Sequence, residues 1–267
     1  MGIQLKYNVL NNHESIFSLK GQILDLFFRC FNKHLDCPEI WDWAYMDNPN
    51  GKPIVSVCFD GSKLIGHYGI IPIYYNNDVN RILCGLSMSN MVDEKYIFTG
   101  AYINLAKLAY EKANKLGYTV VYGFPNKNSY PALKKRLGWE FPEEYRVVST
   151  PMKTVDPKYF QRKTALYSFD IRDKAQINWR LSKPNNNYFQ NDNLIYKYYR
   201  NSIDLIYFEP VSLKNIDPDE ICNIIIPKRC PLYNESKSFK YYSGYKIINH
   251  NYNNITMNIQ LINSDIF

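Results

Sequence analysis

Between residues 14 and 31, ESIFSLKGQILDLFFRCF, apolar side chains recur at three- and four-residue spacing. That period predicts an amphipathic helix. Residues 37–53 hold two tryptophans among Pro, Asn and Gly and read as a turn-rich connector. Residues 54–60 (IVSVCFD) and 63–75 (KLIGHYGIIPIYY) flank Asp60-Gly61, a pattern that predicts a hairpin. Residues 80–94 read as a third strand with small residues at its centre. Residues 100–117 predict a strong helix, with Ile103, Leu105, Ala106, Ala109, Ala113 and Leu116 as its apolar positions and Gly117 as its stop. A buried strand at 118–125, a short helix at 129–138 and a further strand at 144–152 follow.

These elements place residues 1–152 in one layered α/β domain with a mixed sheet. Residues 153–170 read as a linker, and 153–267 as a smaller C-terminal domain. QINWRLSKPNNNY (176–188) faintly repeats EIWDWAYMDNPNG (39–51): an apolar residue, a tryptophan, then a Pro-Asn turn. Short strands follow each piece, at 194–200 and 203–210 in the second half. A degenerate internal duplication is one reading and a convergent Trp–turn is the other.

Composition narrows the class. Hydrophobic residues make up 46% of 267 positions, enough for a real core. The formal charge of +7 is scattered without a long basic block, so a basic rim for a phosphorylated cofactor fits it at least as well as nucleic acid does. Six cysteines occur without a CxxC, and the start shows no signal-peptide pattern, so reduced thiols in a cytoplasm are expected. No apolar run is long enough to span a membrane. Met1-Gly2 alone is a poor lipidation signal, and the sequons at Asn234 and Asn254 carry little weight outside a secreted chain.

The segment SMSNMVDEKYIFTGAYINLAKLAYEKANKLGYTVVYGF orders a strand, a tight loop, a helix opening at Gly100 and a second strand. Unpaired N–H groups at a helix start make an anion site, and glycine admits a close approach. An ordinary strand–helix turn is the plain alternative. The four histidines show no metal spacing with cysteine. Neither GxSxG nor GxxxxGK[ST] occurs.

From Trp43 to Trp139 the chain resembles the GNAT superfamily of acetyl-CoA-dependent N-acetyltransferases. The resemblance rests on WAYMDNPNGKP, DGSKLIGHYGIIP, MVDEKYIFTGAYINLA and GYTVVYGFPNKNSYPALKKRLGW in that order. INWRLSKP matches the subgroup with a C-terminal extension. The resemblance implies an α/β (α+β) fold: a mixed, mostly antiparallel sheet flanked by helices, with a second, smaller, degenerate GNAT-like half. It implies acetyl-CoA as co-substrate, without a metal, and phosphates held by the backbone of Phe98, Thr99, Gly100 and Ala101. The family's usual Arg/Gln and final small residue are replaced by Ile97 and Tyr102. Two strands, 82–93 and 118–124, would splay apart, with Met91 and Val92 holding the pantetheine arm and Asn126 at the mouth.

Acetyl transfer needs a neutral amine, a donor for the thioester oxygen and an acid for the thiolate. The family's acid position is Lys134 here, so Tyr130 and Ser129 are the local candidates. His67, mid-strand, is a candidate base or a core histidine. Asp93 and Glu94 are candidate proton relays or loop charges. Trp43, Tyr45 and Ser89 are candidate substrate-lining residues. The expected function is transfer of an acetyl group to the amine of a small molecule, an amino sugar among the candidates, by direct attack. The alternative is a catalytically degenerate GNAT-like binding or assembly protein. A small-molecule amine acceptor is the expected partner, without nucleic acid or membrane, and a homo-oligomer is compatible.

Overall fold

The computed structural model describes residues 4–35, 37–160, 166–234, 237–253 and 255–264. Met1-Gly2, the sequon at Asn254 and the linker stretch 161–165 lie outside the described residues.

The chain opens with a strand that the sequence reading missed, β1 (Leu5–Leu10), which pairs antiparallel along the strand that follows the helices. Its six residues are too few to show an alternation against the chain start. The helix expected at 14–31 is two, α1 (His13–Ser18) and α2 (Lys20–Phe31), broken at Leu19. Asn12 caps α1 by accepting the Ser15 N–H at 2.8 Å. Asn32 ends α2 in the left-handed region. The expected connector contains a helix, α3 (Glu39–Tyr45). Pro38 starts it, Glu39 and Asp42 suit its first turn, and Trp41, Trp43, Ala44 and Tyr45 are all buried. A helix covered on most sides shows no polar face, so its period was invisible.

The hairpin β2 (Ile54–Asp60) and β3 (Lys63–Asn76) forms as expected, followed by β4 (Arg81–Val92), α4 (Ala101–Lys115), β5 (Val120–Gly123) and α5 (Tyr130–Arg136). Helix α4 buries Ala101, Ala106, Ala109 and Ala113 with Ile103 and Leu105 against the sheet. Its small residues let it lie close, and burying a side chain such as Leu105 contributes about 2 kcal/mol.

The rest of the chain is β6 (Tyr145–Pro151), β7 (Ser168–Phe169), α6 (Lys174–Leu181), β8 (Tyr188–Asn191), β9 (Leu194–Tyr199), β10 (Ser202–Phe208), β11 (Ile221–Pro227), β12 (Ser238–Tyr241) and β13 (Gly244–Ile247). Two sheets result. The first runs β1-β2-β3-β4-β5-β13, with β7 on β3; the second runs β12-β6-β11-β10-β9-β8.

The two sheets repeat one plan. In the first, α3 leads to β2, β3 and β4 paired antiparallel, then β5 parallel to β4. In the second, α6 leads to β8, β9 and β10 paired antiparallel, then β11 parallel to β10. The crossover helix α4 is reduced there to a 3₁₀ turn, Pro210–Asn215. The second half therefore follows the strand order of the first in reduced form. Each half also lends a strand to the other. β6 follows the first half but pairs antiparallel with β11, and β13 follows the second half but pairs antiparallel with β5. The boundary expected at 152/153 falls directly after β6.

Between the halves, Trp43 and Trp179 belong to one core with Ile23, Leu26, Tyr75, Tyr122, Ile206 and Ile225. A second core lies under α4, and a third covers the far face of the second sheet.

Candidate active site

β4 and β5 pair over three residues only: Cys84, Gly85 and Leu86 with Val120, Val121 and Tyr122. β4 continues to Val92, and among the described residues no strand pairs with Ser87–Val92 on that side. Gly123 sits where the strands diverge; a Cβ there would lie 3.0 Å from the Ser87 carbonyl oxygen. Beyond it, Phe124 stacks on Tyr241 at 5.0 Å, which draws the chain after β5 toward the second half. The result is a slot edged by unpaired β4 backbone.

A bulge shapes that edge. Between the pairs Gly69↔Met88 and His67↔Met91, β4 carries one extra residue, Ser89 and Asn90 standing opposite Tyr68, and Ser89 has φ +53°. Such a bulge bends its strand and ends regular pairing. His67 Nδ1 lies 2.8 Å from the Ser89 carbonyl oxygen, and Asn90 Oδ1 accepts the Gly69 N–H at 3.0 Å. Because the carbonyl only accepts, Nδ1 carries the proton and Nε2 presents a lone pair, without a partner among the described residues. His67 is fully buried, and burial lowers its pKa to about 4. Of the two readings, base or core histidine, the geometry fits the second: the buried ring is neutral and weakly basic, and its visible contact braces the bulge.

Asn90 Nδ2 donates to Ser87 Oγ, which donates to Tyr68 OH; Tyr68 OH meets Tyr110 OH at 2.7 Å, and Trp139 Nε1 donates to Tyr110 OH. Burial pushes both phenols up, so they stay protonated as links in this chain. Sequence reading did not single out Asn90, Tyr68, Tyr110 or Trp139 for it. The polar run of Ser87, Ser89 and Asn90 near the end of β4 was the available signal.

At the far end of β4, Asp93 opens the 3₁₀ turn Glu94–Thr99, and Gly100 follows at φ +81° as the first residue of α4's N-terminus. No side chain caps that terminus from Gly100; Thr99 Oγ1 accepts the Ala101 N–H at 3.3 Å. A Cβ on Gly100 would meet nothing within 4 Å. The open approach and the helix's amide end suit an anion. Asp93 is neither a solvated loop charge nor a free relay. Burial opposes its charge, but Lys63, the Lys95 N–H and Arg29 outweigh burial and hold its carboxyl below the usual range.

No family model matches the chain, and no curated protein matches it in sequence. Solved structures do. A GCN5-related N-acetyltransferase from Kribbella flavida superposes with a TM-score of 0.61 at 12% identity, over 91% of this chain and 72% of that one. Eis1 from Mycobacterium abscessus gives 0.55 at 10%, over 91% and 74%. A putative acetyltransferase from Pyrococcus horikoshii gives 0.53 at 12%, over 96% and 93%. This chain has the GNAT fold.

Within the GNAT fold the expected cofactor residues fall in one run. Met91 and Val92 end β4's open edge, and Phe98, Thr99, Gly100 and Ala101 form the turn into α4. Phe98 is fully exposed and Ile97 54% exposed. They put apolar surface on this turn, and Ile97 stands where the resemblance implies an Arg or Gln. Across the slot, Asn126 Oδ1 accepts the N–H groups of Asn128 and Ser129 and the Ser129 hydroxyl. Asn126, not Ser129, therefore organises the start of α5. Tyr130 packs between Phe141 and Tyr242 at 4.5 and 4.6 Å, and Lys134 Nζ donates to its hydroxyl at 3.3 Å. It faces a small pocket with Glu143, Glu144 and Lys240.

Trp43 and Tyr45 do not line a substrate surface. Trp43 is 3% exposed with one face covered by Trp179, and Tyr45 is 1% exposed with its ring edge against His67. Both are core residues, because α3 is wedged between the halves. Among the described residues, no group of three or more His, Cys, Asp or Glu is placed to hold a metal ion, and no helix is long and apolar enough to cross a membrane.

Proposed function

We propose that this protein transfers an acetyl group from acetyl-CoA to the amine of a small molecule by direct attack, without a covalent enzyme intermediate. The observation that carries the reading is the divergence of β4 from β5 after Leu86 and Tyr122, above an α4 N-terminus opened by Gly100. The free edge Ser87–Val92 offers N–H and C=O groups to an extended amide-bearing arm, as in strand addition. The backbone from Phe98 to Ala101 holds the phosphates. An N–H of the bulged β4 stabilises charge growing on the thioester oxygen. Ser129 and Tyr130, at the start of α5, are the candidate acids for the departing thiolate. Water at the slot mouth takes the amine proton, since His67 is buried. An amino sugar is one acceptor of this class. The cytoplasm is the compartment proposed, and the six cysteines are free.

The second reading is a GNAT-like module that binds without turnover. Ile97 and Phe98 exposed at the phosphate turn favour it. Thermal shift with acetyl-CoA, followed by thiol release with a panel of amines, separates the two. Transfer to any amine supports the enzyme. Stabilisation without transfer supports the binding module. Absence of any acetyl-CoA effect overturns both.

A further inference from the structure

The second sheet carries a cleft that the acetyl-transfer reading does not use. One face of this sheet is apolar where it meets the first half, through Val147, Ile195, Ile225 and Tyr241. Farther along the same strands that face turns polar: Ile195 gives way to Lys197 and Tyr199, and Ile225 to Asn223. In the first half the corresponding face is covered by α1 and α2, which bury Ile16, Ile23 and Leu26. No such pair of helices precedes α6 among the described residues, so the polar part stays uncovered. It forms a cleft of about 680 Å³ lined by Lys197, Asp204, Asn223, Ser149, Tyr199 and Phe239. That lies within the range of roughly 300–1,000 Å³ typical of small-molecule sites.

The floor is a nearly buried ion pair. The side chains of Lys197 and Asp204 are 13% and 5% exposed, with Nζ 3.8 Å from Oδ2. That gap exceeds a hydrogen bond. Burial pushes the Asp204 carboxyl up and the Lys197 ammonium down, so each ion is held at a cost. The surrounding bonds leave defined valences. Lys197 Nζ donates to Asn186 Oδ1 at 2.7 Å, which leaves two N–H groups. Asn223 Nδ2 donates to Asp204 Oδ1 and to Ser202 Oγ, which leaves Asn223 Oδ1 as an acceptor. Ser149 adds a hydroxyl.

A ligand hydroxyl satisfies this floor where an ion does not. It accepts from Lys197 and donates to Asp204 at once. A carboxylate would face Asp204, and an ammonium would face Lys197. The walls supply flat apolar faces: Tyr199 is 49% and Phe239 52% exposed. An adjoining cleft of about 420 Å³ shares Lys197 and Tyr199 and adds Phe189. Neighbouring hydroxyls above a polar floor and C–H faces against aromatic walls describe one chemical class.

We infer that this cleft is a binding site for a neutral saccharide, with Lys197, Asp204 and Asn223 bonding ring hydroxyls and Tyr199 and Phe239 packing against the ring. The site stands whether or not the slot transfers acetyl groups.

Calorimetric titration of the full chain tests it with glucose, galactose, N-acetylglucosamine and the anionic N-acetylneuraminic acid, each to ~20 mM so that millimolar affinity is seen. At least one neutral sugar is expected to bind. Phe239→Ala, which removes only an exposed wall, and Asp204→Asn are each expected to weaken it about tenfold or more. Acetyl-CoA-induced thermal shift serves as the readout that the slot is unaffected by Phe239→Ala. No binding of any neutral sugar, binding of the anionic sugar alone, or binding within about twofold of the parent in Phe239→Ala would each overturn the assignment.

Discussion

Trp43 and Trp179 stack at 4.7 Å with their planes 7° apart, and each indole N–H donates to the other's backbone carbonyl oxygen, at 2.7 and 2.8 Å. The pair joins α3 of the first half to α6 of the second. Replacing either by Phe keeps a stacked ring, but the consequences differ: the Trp179 carbonyl oxygen still accepts from the Ser182 N–H and hydroxyl, whereas the Trp43 carbonyl oxygen loses the Trp179 indole. Trp43→Phe is expected to cost about 1 kcal/mol and Trp179→Phe about 2 kcal/mol in urea unfolding. The double variant is expected to lose less than the sum, because the two bonds share one geometry. Strict additivity would show that the tryptophans act independently.

Gly100 allows a charge test of the phosphate turn. Asn and Asp both tolerate the left-handed conformation it adopts, so Gly100→Asn and Gly100→Asp differ chiefly in charge. The Asp variant is expected to bind acetyl-CoA about tenfold or more weakly than the Asn variant, since its carboxylate opposes a phosphate at the helix terminus. Equal affinities by calorimetry would remove the phosphates from this turn.

His67 should make stability pH-dependent. Its folded pKa of about 4 lies below the ordinary value of 6.5. The unfolded chain therefore binds the extra proton first as pH falls. The contribution is full above about 6.5, is lost between about 6.5 and 4, and then levels off, for a total of up to roughly 3 kcal/mol. Urea unfolding at several pH values should show a steeper loss in the parent than in His67→Gln. Parallel curves would mean that the ring is not held neutral.

Gln260 closes the second half's counterpart of the slot. β10 and β11 pair only at Ile203↔Cys222 and Asp204↔Asn223 before parting. The Phe208 N–H donates to Gln260 Oε1 at 2.8 Å, and Gln260 Nε2 donates to the Phe208 carbonyl oxygen at 3.0 Å. The side-chain amide thus occupies the open strand edge in this half. Gln260→Ala is expected to cost about 2–4 kcal/mol in thermal or urea unfolding, with acetyl-CoA binding at the first slot retained. A loss of acetyl-CoA binding in the folded variant would contradict the separation of the two slots.

The GNAT-like order of strands and helices from β2 to α5 was legible because those elements carry strong periods and clear stops, such as Gly117 after α4. The likeness of the two Trp-bearing segments was legible through Trp43 and Trp179, although their mutual stacking was not. A tryptophan looks alike on paper whether it faces a ligand or another tryptophan. β1 and α3 were hidden, one by brevity and one by burial on most sides. His67 could be placed mid-strand from its neighbours, but not its full burial or its hold on Ser89. The cleft of Lys197, Asp204 and Asn223 was unreadable because its members come from three strands far apart in sequence. Only the sheet brings them together.

The lending of β6 to the second sheet and of β13 to the first has a consequence for how the molecule can be divided. Severed after residue 152, the N-terminal fragment keeps β6 with no β11 to receive it and loses β13 from its own border. The C-terminal fragment suffers the mirror-image loss. Both would expose bare strand margins inviting intermolecular pairing. Each half's sheet is finished by a strand that the other half supplies, so neither half is expected to be stable when expressed alone.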